Sequence, residues 1–252
     1  MNRFYLITFC ILITASSLFS QVNVKDSLLA FSTVNVSFAW QIPSGDLAKR
    51  FGDFGSVGMN YLRKQRSGLI WGVNGNFLFG GDVKQKDMLQ NIITGDGFVI
   101  GADGTLYEAK YLMRGIQFDA RIGKVFPIGG PNKNCGIYTT IGAGFLQHKI
   151  RIDTERNANV PPLTKEYVKG YDRLSNGWSI NPALGYLFLS NNRSVNFFVQ
   201  VEYLYSQTEN RRSFNYDTGL HDATIRKDGS LGFRFGWVLP IYKAPATDFF
   251  YY

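Results

Sequence analysis

Large apolar residues alternate with small or polar residues along eight stretches of this chain. Because successive side chains of a β-strand point to opposite faces of a sheet, this period of two predicts strands with one apolar face each. The predicted strands span residues 34–40, 57–63, 69–79, 116–126, 136–150, 177–189, 195–205 and 231–239. The pattern therefore indicates an all-β protein.

The connections between the predicted strands alternate in length. The short ones are residues 64–67, 127–134 and 190–194, and the longer ones are residues 41–53, 80–110, 152–175 and 207–229. Short turns at one end and long loops at the other are typical of bacterial outer-membrane barrels, whose turns are periplasmic. Since a sheet edge cannot stay open in lipid, the sheet has to close. We therefore predict an antiparallel, up-and-down transmembrane β-barrel of eight strands, with both termini in the periplasm.

The polar faces of these strands favour a membrane barrel over a soluble sandwich. They consist mainly of Gly and Asn instead of the Lys and Glu of a solvent face, and the apolar faces have aromatic residues near strand ends, as an interfacial girdle does. The charges on the polar faces are Asp119, Arg121, Glu202 and Arg234. An eight-stranded barrel is just wide enough inside for side chains, where unpaired charges are costly. We expect these four charges to neutralise one another, with Glu202 paired to Arg234, and to plug the lumen.

Two segments leave the strand pattern open to alternatives. Pro182 falls inside the sixth predicted strand, and because proline lacks a ladder donor we expect either a β-bulge near Asn181 and Pro182 or a strand that begins at Ala183. In the loop of residues 80–110, the segments 97–100 and 105–107 read as a hairpin. This hairpin either extends beyond the membrane or gives the alternative count of ten barrel strands.

The composition and the first residues indicate an exported protein. With 45% hydrophobic and 15% aromatic residues among 252, the chain is too apolar to be disordered. Residues 1–20 have one positive charge, an apolar run and small residues before Gln21, which is typical of a cleaved signal peptide. No later segment approaches the apolar length that a transmembrane helix needs. We assign residues 1–20 to the signal peptide and residues 21–243 to the barrel domain.

Residues 244–252 form an aromatic C-terminal tail that we expect in the periplasm. Its last four residues are Phe249, Phe250, Tyr251 and Tyr252. Exposed aromatic side chains are unfavourable without a partner. The tail therefore either packs on the mouth of the barrel or serves as a docking or assembly signal that another protein recognises.

The sequence has no recognisable catalytic or metal-binding motif. The two histidines are His148, near the outer end of the fifth strand, and His221, beside Asp222 in the last long loop. We expect both to be solvated polar residues, because no nucleophile motif accompanies them. Cys135 is the only cysteine after the signal peptide, and we expect it to be a buried, inert thiol. The prediction is a protein with no enzymatic activity, cofactor or metal.

Basic residues concentrate at the ends of the predicted barrel. Those near the outer rim are Lys149, Arg151, Arg211 and Arg212. They either bind the phosphates of lipopolysaccharide or extend along the membrane boundary as ordinary snorkelling side chains. A net charge of +8 does not indicate nucleic acid here, because an exported barrel does not meet it as a partner. The expected partners are outer-membrane lipids including lipopolysaccharide, the barrel-assembly machinery during insertion, and an envelope protein complex.

Several segments resemble a family of small outer-membrane β-barrel proteins of the Bacteroidota. They are residues 43–52 (PSGDLAKRFG), 144–152 (GFLQHKIRI), 169–177 (KGYDRLSNG), 236–243 (GWVLPIYK) and the terminal DFFYY. The resemblance covers most of the chain after the signal peptide and implies no activity. Some small barrels of this family resemble accessory parts of secretion or envelope machinery. From the paired lumen charges, the missing catalytic motif and the aromatic terminus, we predict a structural or adaptor component of a Gram-negative cell envelope. The alternatives are a small gated channel and a rim-located enzyme acting on envelope lipids.

Overall fold

The computed structural model of the protein describes residues 28–154, 159–164, 166–191 and 195–241. The predicted signal peptide and the aromatic tail of residues 244–252 lie outside the described residues, so both stay predictions. No helix in the described part of the chain is long and apolar enough to cross a membrane.

Ten strands and four short helices make up the described chain. The strands are β1 Phe31–Ser44, β2 Phe54–Lys64, β3 Leu69–Gly80, β4 Phe98–Ile100, β5 Leu106–Glu108, β6 Lys110–Phe126, β7 Gly136–Asp153, β8 Ser175–Leu189, β9 Asn196–Asn210 and β10 Arg226–Ile241. One α-helix, α1 Gly45–Arg50, follows β1, and 3-10 helices span Asp87–Leu89, Pro161–Leu163 and Tyr167–Gly170.

Eight of these strands close into one antiparallel barrel. The order around the barrel is β1-β10-β9-β8-β7-β6-β3-β2, so each strand pairs with its neighbours along the chain and β1 closes on β10. At the closing seam, Phe38 pairs with Phe235. Strands β4 and β5 form a separate hairpin in the loop between β3 and β6. The predicted eight-stranded, up-and-down barrel is confirmed, and the ten-strand alternative is wrong.

The outer face of the barrel is apolar. Phe38, Phe118 and Phe235 each leave more than half of their surface exposed, at 53%, 55% and 53%. The alternate residues, such as Asn60 and Asn74, point inward and are almost fully buried. Soluble monomers rarely expose apolar surface this extensive, so the outer face is suited to lipid.

Several strands run further toward the long loops than the alternation predicts. Strand β6 begins at residue 110, six residues before its predicted start, and β9 ends at 210, five residues after its predicted end. In these extensions exposed polar and charged residues, such as Lys110, take the outward positions. In the extension of β6 the large apolar residue Met113 lies on the inner side, so the outward apolar face that predicted the strands is not continued there.

Pro182 interrupts pairing without a bulge. On the β9 side, Ile180 pairs with Tyr205 and Ala183 with Glu202, so the register is the same before and after the interruption. On the β7 side, Pro182 itself pairs with Ile141. The expected β-bulge and the later strand start at Ala183 are therefore both wrong. A missing N–H costs pairing at one point of the ladder, but it does not require an inserted residue.

The interior of the barrel is layered. One apolar cluster fills the end where the long loops lie, here called the loop end, and includes Leu47, Met88, Met113 and Ile150. A second fills the end where the short turns lie, here called the turn end, and includes Phe31, Val125, Tyr138, Leu189 and Phe198. Between the two clusters the inward residues are polar and charged. The candidate functional groups of the interior lie in this middle layer.

Candidate functional site

The ion pair of Glu202 and Arg234 lies in the middle of the barrel. Both side chains are 1% exposed, and Arg234 Nη2 lies 2.7 Å from Glu202 Oε1. Arg234 Nε also donates to both carboxylate oxygens, at 3.1 and 3.0 Å. Strands β9 and β10 present the two residues to each other from neighbouring positions on the inner face. The structure thus forms the pair expected from their places on consecutive strands.

A second ion pair joins Asp119 and Arg121, two inward positions of β6. Arg121 Nη2 lies 2.8 Å from Asp119 Oδ1, and the side chains are 5% and 1% exposed. Asn74 Nδ2 donates to Asp119 Oδ2 at 2.8 Å from the neighbouring strand. Each of the four predicted lumen charges therefore has an opposite charge within 3 Å.

Amide side chains connect the two ion pairs into one network. Arg234 Nη1 donates to Asn76 Oδ1 at 2.9 Å, and Asn76 Nδ2 donates to Gln117 Oε1 at 3.1 Å. Gln117 Nε2 then reaches Asp119 Oδ2 at 3.4 Å. Since these side chains come from β3, β6, β9 and β10, the network links separate parts of the barrel wall across the bore.

A small cavity lies between this network and the apolar cluster of the turn end. Its volume is about 40 Å³, and Phe31, Lys64, Arg121 and Tyr138 are among its walls. Lys64 Nζ donates to Asn134 Oδ1 at 3.1 Å and to the Leu29 carbonyl at 3.3 Å. A cavity of this size has room for one or two water molecules but not for a solute.

His148 belongs to a buried cluster near the loop end, and the expectation of a solvated rim histidine is wrong. It is 0% exposed, and its Nε2 lies 2.9 Å from Asp228 Oδ2. Arg50, the last residue of α1, places Nη2 3.2 Å from His148 Nδ1. Thr208 Oγ1 donates to the same Asp228 oxygen at 2.6 Å. The histidine is buried because β7 runs beyond it to Asp153 and α1 covers the barrel mouth.

Arg50 keeps its positive charge although it is buried at the inner edge of the loop end. Burial lowers the pKa of Arg50 to about 10, opposed by the nearby Asp228 carboxylate, so the guanidinium stays charged at neutral pH. An arginine can only donate, so His148 Nδ1 accepts its hydrogen bond and Nε2 carries the proton donated to Asp228. Sequence analysis missed Arg50 and Asp228 because both lie in predicted loops, residues 41–53 and 207–229, where the alternation gives no signal.

The side chains of Ser175, His148 and Asp228 do not form a hydrolytic triad. Ser175 Oγ donates to the Arg173 carbonyl at 3.1 Å and accepts from Arg50 Nη1 at 3.3 Å. Both nitrogens of His148 are already engaged, so no lone pair is free to take a proton from the serine. The three residues are at most 1% exposed. This arrangement fixes α1 on the barrel but provides no accessible base.

His221 and Asp222, adjacent in the last long loop, do not interact with each other in the structure. His221 Nδ1 donates to the Arg212 carbonyl at 3.0 Å, whereas Asp222 pairs with Arg226 and accepts from the Thr224 amide at 3.1 Å. Burial alone would raise the pKa of Asp222, but the hydrogen bonds from Arg226 and Thr224 lower it to about 2. Asp222 therefore orients Arg226, and it does not orient His221 as a base.

The four predicted outer-rim cations lie at the loop end, and each has a carboxylate nearby. Arg212 Nε donates to Asp172 Oδ1 at 2.8 Å, and this bond raises the pKa of Arg212. Lys149 approaches the same carboxylate at 3.7 Å. The other two pairs are Arg151 with Asp153 at 3.0 Å and Arg211 with Glu209 at 3.2 Å. These carboxylates already offset much of the charge of the four cations. Binding of the four cations to lipopolysaccharide phosphates stays a prediction.

Cys135 is buried, as expected, and its Sγ lies 3.2 Å from the Leu189 carbonyl. Among the residues that the structure describes, no three His, Cys, Asp or Glu side chains come together in a way that could hold a metal ion.

Known proteins give only a distant likeness. No protein-family model matches the chain, and no curated protein matches its sequence. Among solved structures, the attachment invasion locus protein Ail of Yersinia pestis is 13% identical with a TM-score of 0.40, over 83% of this chain and 99% of Ail. Neisserial surface protein A is 11% identical with a TM-score of 0.40, over 82% and 96%. The outer-membrane protein OprG of Pseudomonas aeruginosa is 13% identical with a TM-score of 0.36, over 84% and 98%.

A likeness of this degree assigns neither a family nor a function to the chain. The resemblance to barrels of the Bacteroidota therefore stays a prediction. The functional argument depends on the residues themselves.

Proposed function

We propose that this protein is a bacterial outer-membrane β-barrel with a closed lumen, and that it acts as a non-enzymatic structural or adaptor component of the cell envelope. One observation carries the proposal: two buried ion pairs, with no net charge between them, lie across the bore between apolar clusters at both ends. Such an interior gives the molecule rigidity and offers no path for a solute. The functional surfaces are then the loops and the termini.

The location in the outer membrane is supported by the apolar outer face. Side chains such as Met59, Val73 and Phe118 are 61%, 58% and 55% exposed and face away from the barrel. In water this surface would favour aggregation, whereas lipid covers it and the closed sheet leaves no open edge. The long loops then lie outside the cell and the short turns in the periplasm.

The closed lumen is supported against the small gated channel by the lining of the bore. The ion pairs of Glu202 with Arg234 and Asp119 with Arg121 remove the net charge from the middle layer. Opening a path would separate charges that water cannot reach, which is strongly unfavourable. A non-enzymatic role is supported by the burial of His148 and by the engagement of both its nitrogens.

Conductance measurements test the closed lumen. We expect the purified protein, after reconstitution in planar bilayers, to give no discrete current steps, because the network fills the bore. A band that migrates differently in boiled and unboiled samples verifies that the barrel is folded in each preparation. Single-channel steps from folded protein would contradict the proposal and favour the channel.

The adaptor role makes the aromatic tail the proposed periplasmic docking segment. Affinity purification from native membranes compares the full chain with a chain that lacks residues 244–252. We expect the shortened chain to insert but to lose an envelope partner or, if the barrel-assembly machinery recognises the tail, to insert poorly. Equal insertion and equal partner recovery would reject the tail proposal.

An unchanged mass profile of lipid A on overexpression, with His148→Ala as the matched control, is expected for a protein that is not an enzyme.

A further inference from the structure

A groove of about 650 Å³ opens at the loop end, outside the apolar cluster that closes the barrel there. Three segments that are far apart in sequence form its walls: helix α1, residues 84–87 after β3, and residues 224–226 at the start of β10. Its volume lies within the range of small-ligand sites. None of the described residues that line it has an aliphatic or aromatic side chain, so it is unsuited to an acyl chain.

The walls of the groove are strongly basic. The lining includes five cations, Lys49, Arg50, Lys84, Lys86 and Arg226, against two carboxylates, Asp46 and Asp87. Lys49 pairs with Asp46 at 2.8 Å and Arg226 pairs with Asp222 outside the groove. Within the described residues, neither Lys84 nor Lys86 has a carboxylate within 4 Å, and both are exposed. Lys84 Nζ donates to the Ala48 carbonyl at 3.0 Å, but neither lysine has its charge offset by a carboxylate, so both can offset the charge of an external anion.

Both arginines of the groove keep unused donors. Arg50 Nε and Arg226 Nη1 are buried and have no hydrogen-bond acceptor in the described part of the chain. Arg50 itself is only 6% exposed, so its charge is poorly solvated. Because these two atoms are buried, an anion in the groove would act on the arginines through their charge and not by accepting from these donors.

Hydrogen bonds hold the three walls in fixed relative positions. The Lys84 amide donates to the Arg50 carbonyl at 2.9 Å, which ties the segment after β3 to the end of α1. The Lys227 amide donates to Asp46 Oδ2 at 2.8 Å, which ties α1 to β10. The backbone of the three walls is therefore fixed before any ligand arrives, and binding has to order only the exposed side chains.

We propose that this groove binds a saccharide with two or more phosphate or sulfate groups. Lys84 and Lys86, which have no carboxylate partner, lie on one wall, and the charged Arg50 and Arg226 lie on the other two, so the groove attracts anionic groups at separate positions. The carboxylates of Asp46 and Asp87, with Gln85 and Thr224, are polar partners for sugar hydroxyls between those groups. This chemistry has two sources, the phosphorylated sugars of a membrane glycolipid and a soluble anionic saccharide. The proposal goes beyond the proposed function and shares with it only the outward orientation of the loop end.

Fructose 1,6-bisphosphate is the probe, titrated calorimetrically into the folded full chain in nanodiscs of zwitterionic lipid. We expect saturable binding that weakens as salt is added, because screening acts on exposed charges. Fructose 6-phosphate and inorganic phosphate are expected to bind at least about tenfold more weakly, since each leaves part of the charge unmatched.

Paired variants locate the binding. The double variant Lys84→Gln with Lys86→Gln should lower the affinity for the probe by about tenfold or more. The matched control, Lys110→Gln with Lys169→Gln, removes the same charge from exposed lysines of the loop end outside the groove. We expect that control to stay within about twofold of the unchanged protein.

Three outcomes would overturn the proposal: no saturable binding, equal weakening by both double variants, or inorganic phosphate binding as tightly as the bisphosphate. Nanodiscs that contain bisphosphorylated lipid A distinguish the two sources. Competition with the probe assigns the groove to a membrane glycolipid, and undiminished probe binding assigns it to a soluble saccharide. The conductance test does not involve the groove, so either proposal can fail without the other.

Discussion

At the scale of single residues, burial and pairing decide what each charged group does. Glu202 and Arg234 are common residue types. Counted with their backbone they are only 2% and 3% exposed, so each can remain charged only beside the other. Asp222 and Arg226 form a similar pair in the loop, where partial exposure lets solvent share their charge. A pair of a carboxylate and an arginine thus stabilises the barrel interior in one place and orients a loop in the other.

Removing one partner of the central pair should destabilise the barrel strongly. We expect Glu202→Gln and Arg234→Gln each to lower the free energy of unfolding by about 3–5 kcal/mol, because the other charge is left buried alone. The double variant should cost less than the sum of the two. Urea unfolding in lipid vesicles, followed by tryptophan fluorescence, measures all three. Arg66→Gln, in an exposed turn, is the control and should change stability by less than about 0.5 kcal/mol.

The Asp222 carboxyl should titrate far below its ordinary range. Its pKa of about 2 lies under the reference value of 3.8, so its pair with Arg226 stabilises the loop fully above about pH 4, and this contribution is lost as the pH falls toward 2. An NMR titration of the carboxyl carbon measures the midpoint. Arg226→Gln should move the midpoint up toward 3.8. A midpoint near 4 in the unchanged protein would contradict the assigned pair.

At the scale of elements, helix α1 is the part that links the strands to the loop end. It begins at Gly45, whose φ of +63° is in the left-handed region that favours glycine. It ends at Arg50, which inserts into the buried cluster of His148 and also lines the basic groove. One short helix therefore closes the barrel mouth and shapes the surface above it.

Gly45→Ala should loosen this helix. An added Cβ would lie 2.4 Å from the Lys227 carbonyl oxygen, and alanine is unfavourable at a positive φ. We expect a loss of about 1–3 kcal/mol in the free energy of unfolding and faster amide hydrogen exchange over residues 45–51. Gly95→Ala is the matched control, because no heavy atom lies within 4 Å of its added Cβ. If the two variants exchange alike, the close approach at Gly45 is not what positions α1.

At the scale of the whole molecule, the barrel inverts the usual arrangement of a soluble protein over its middle section. Apolar residues face outward around the middle of the barrel, a zone here called the belt. Polar groups lie in the interior between two apolar ends. In the proposed membrane setting, lipid would cover the belt, and the ion-paired interior would offer no path for a solute. The loop end, with its basic groove, is left as the surface on which binding can vary.

A charge placed on the belt should prevent stable insertion. Phe118 lies at the middle of β6 with 55% exposure, and we expect Phe118→Arg to cost about 2–4 kcal/mol in lipid. Folding into vesicles, measured by the shift between boiled and unboiled bands, reports the loss. Leu220→Arg adds the same charge at a loop position that is 68% exposed and should insert normally. Equal insertion of both variants would mean that lipid does not cover the belt.

The alternation of apolar and polar residues by itself determined the strands, their number, the closed barrel and the inward direction of the four lumen charges. These are local consequences of a period of two and of the rule that an edge cannot remain open in lipid. Where that period ends, the sequence is silent. The strand ends and the surroundings of His148 were therefore predicted wrongly. The bulge expected at Pro182 was wrong for a different reason, since a missing N–H interrupts the ladder without an inserted residue.

Only the tertiary structure decided which distant segments meet at the loop end. Arg50, His148 and Asp228 come together because the sheet closes and α1 folds over the mouth, so that residues some 80 to 180 positions apart become neighbours. The basic groove has the same origin, since its three walls have no common pattern in the sequence. Such sites depend on closure of the whole barrel, which no local periodicity records.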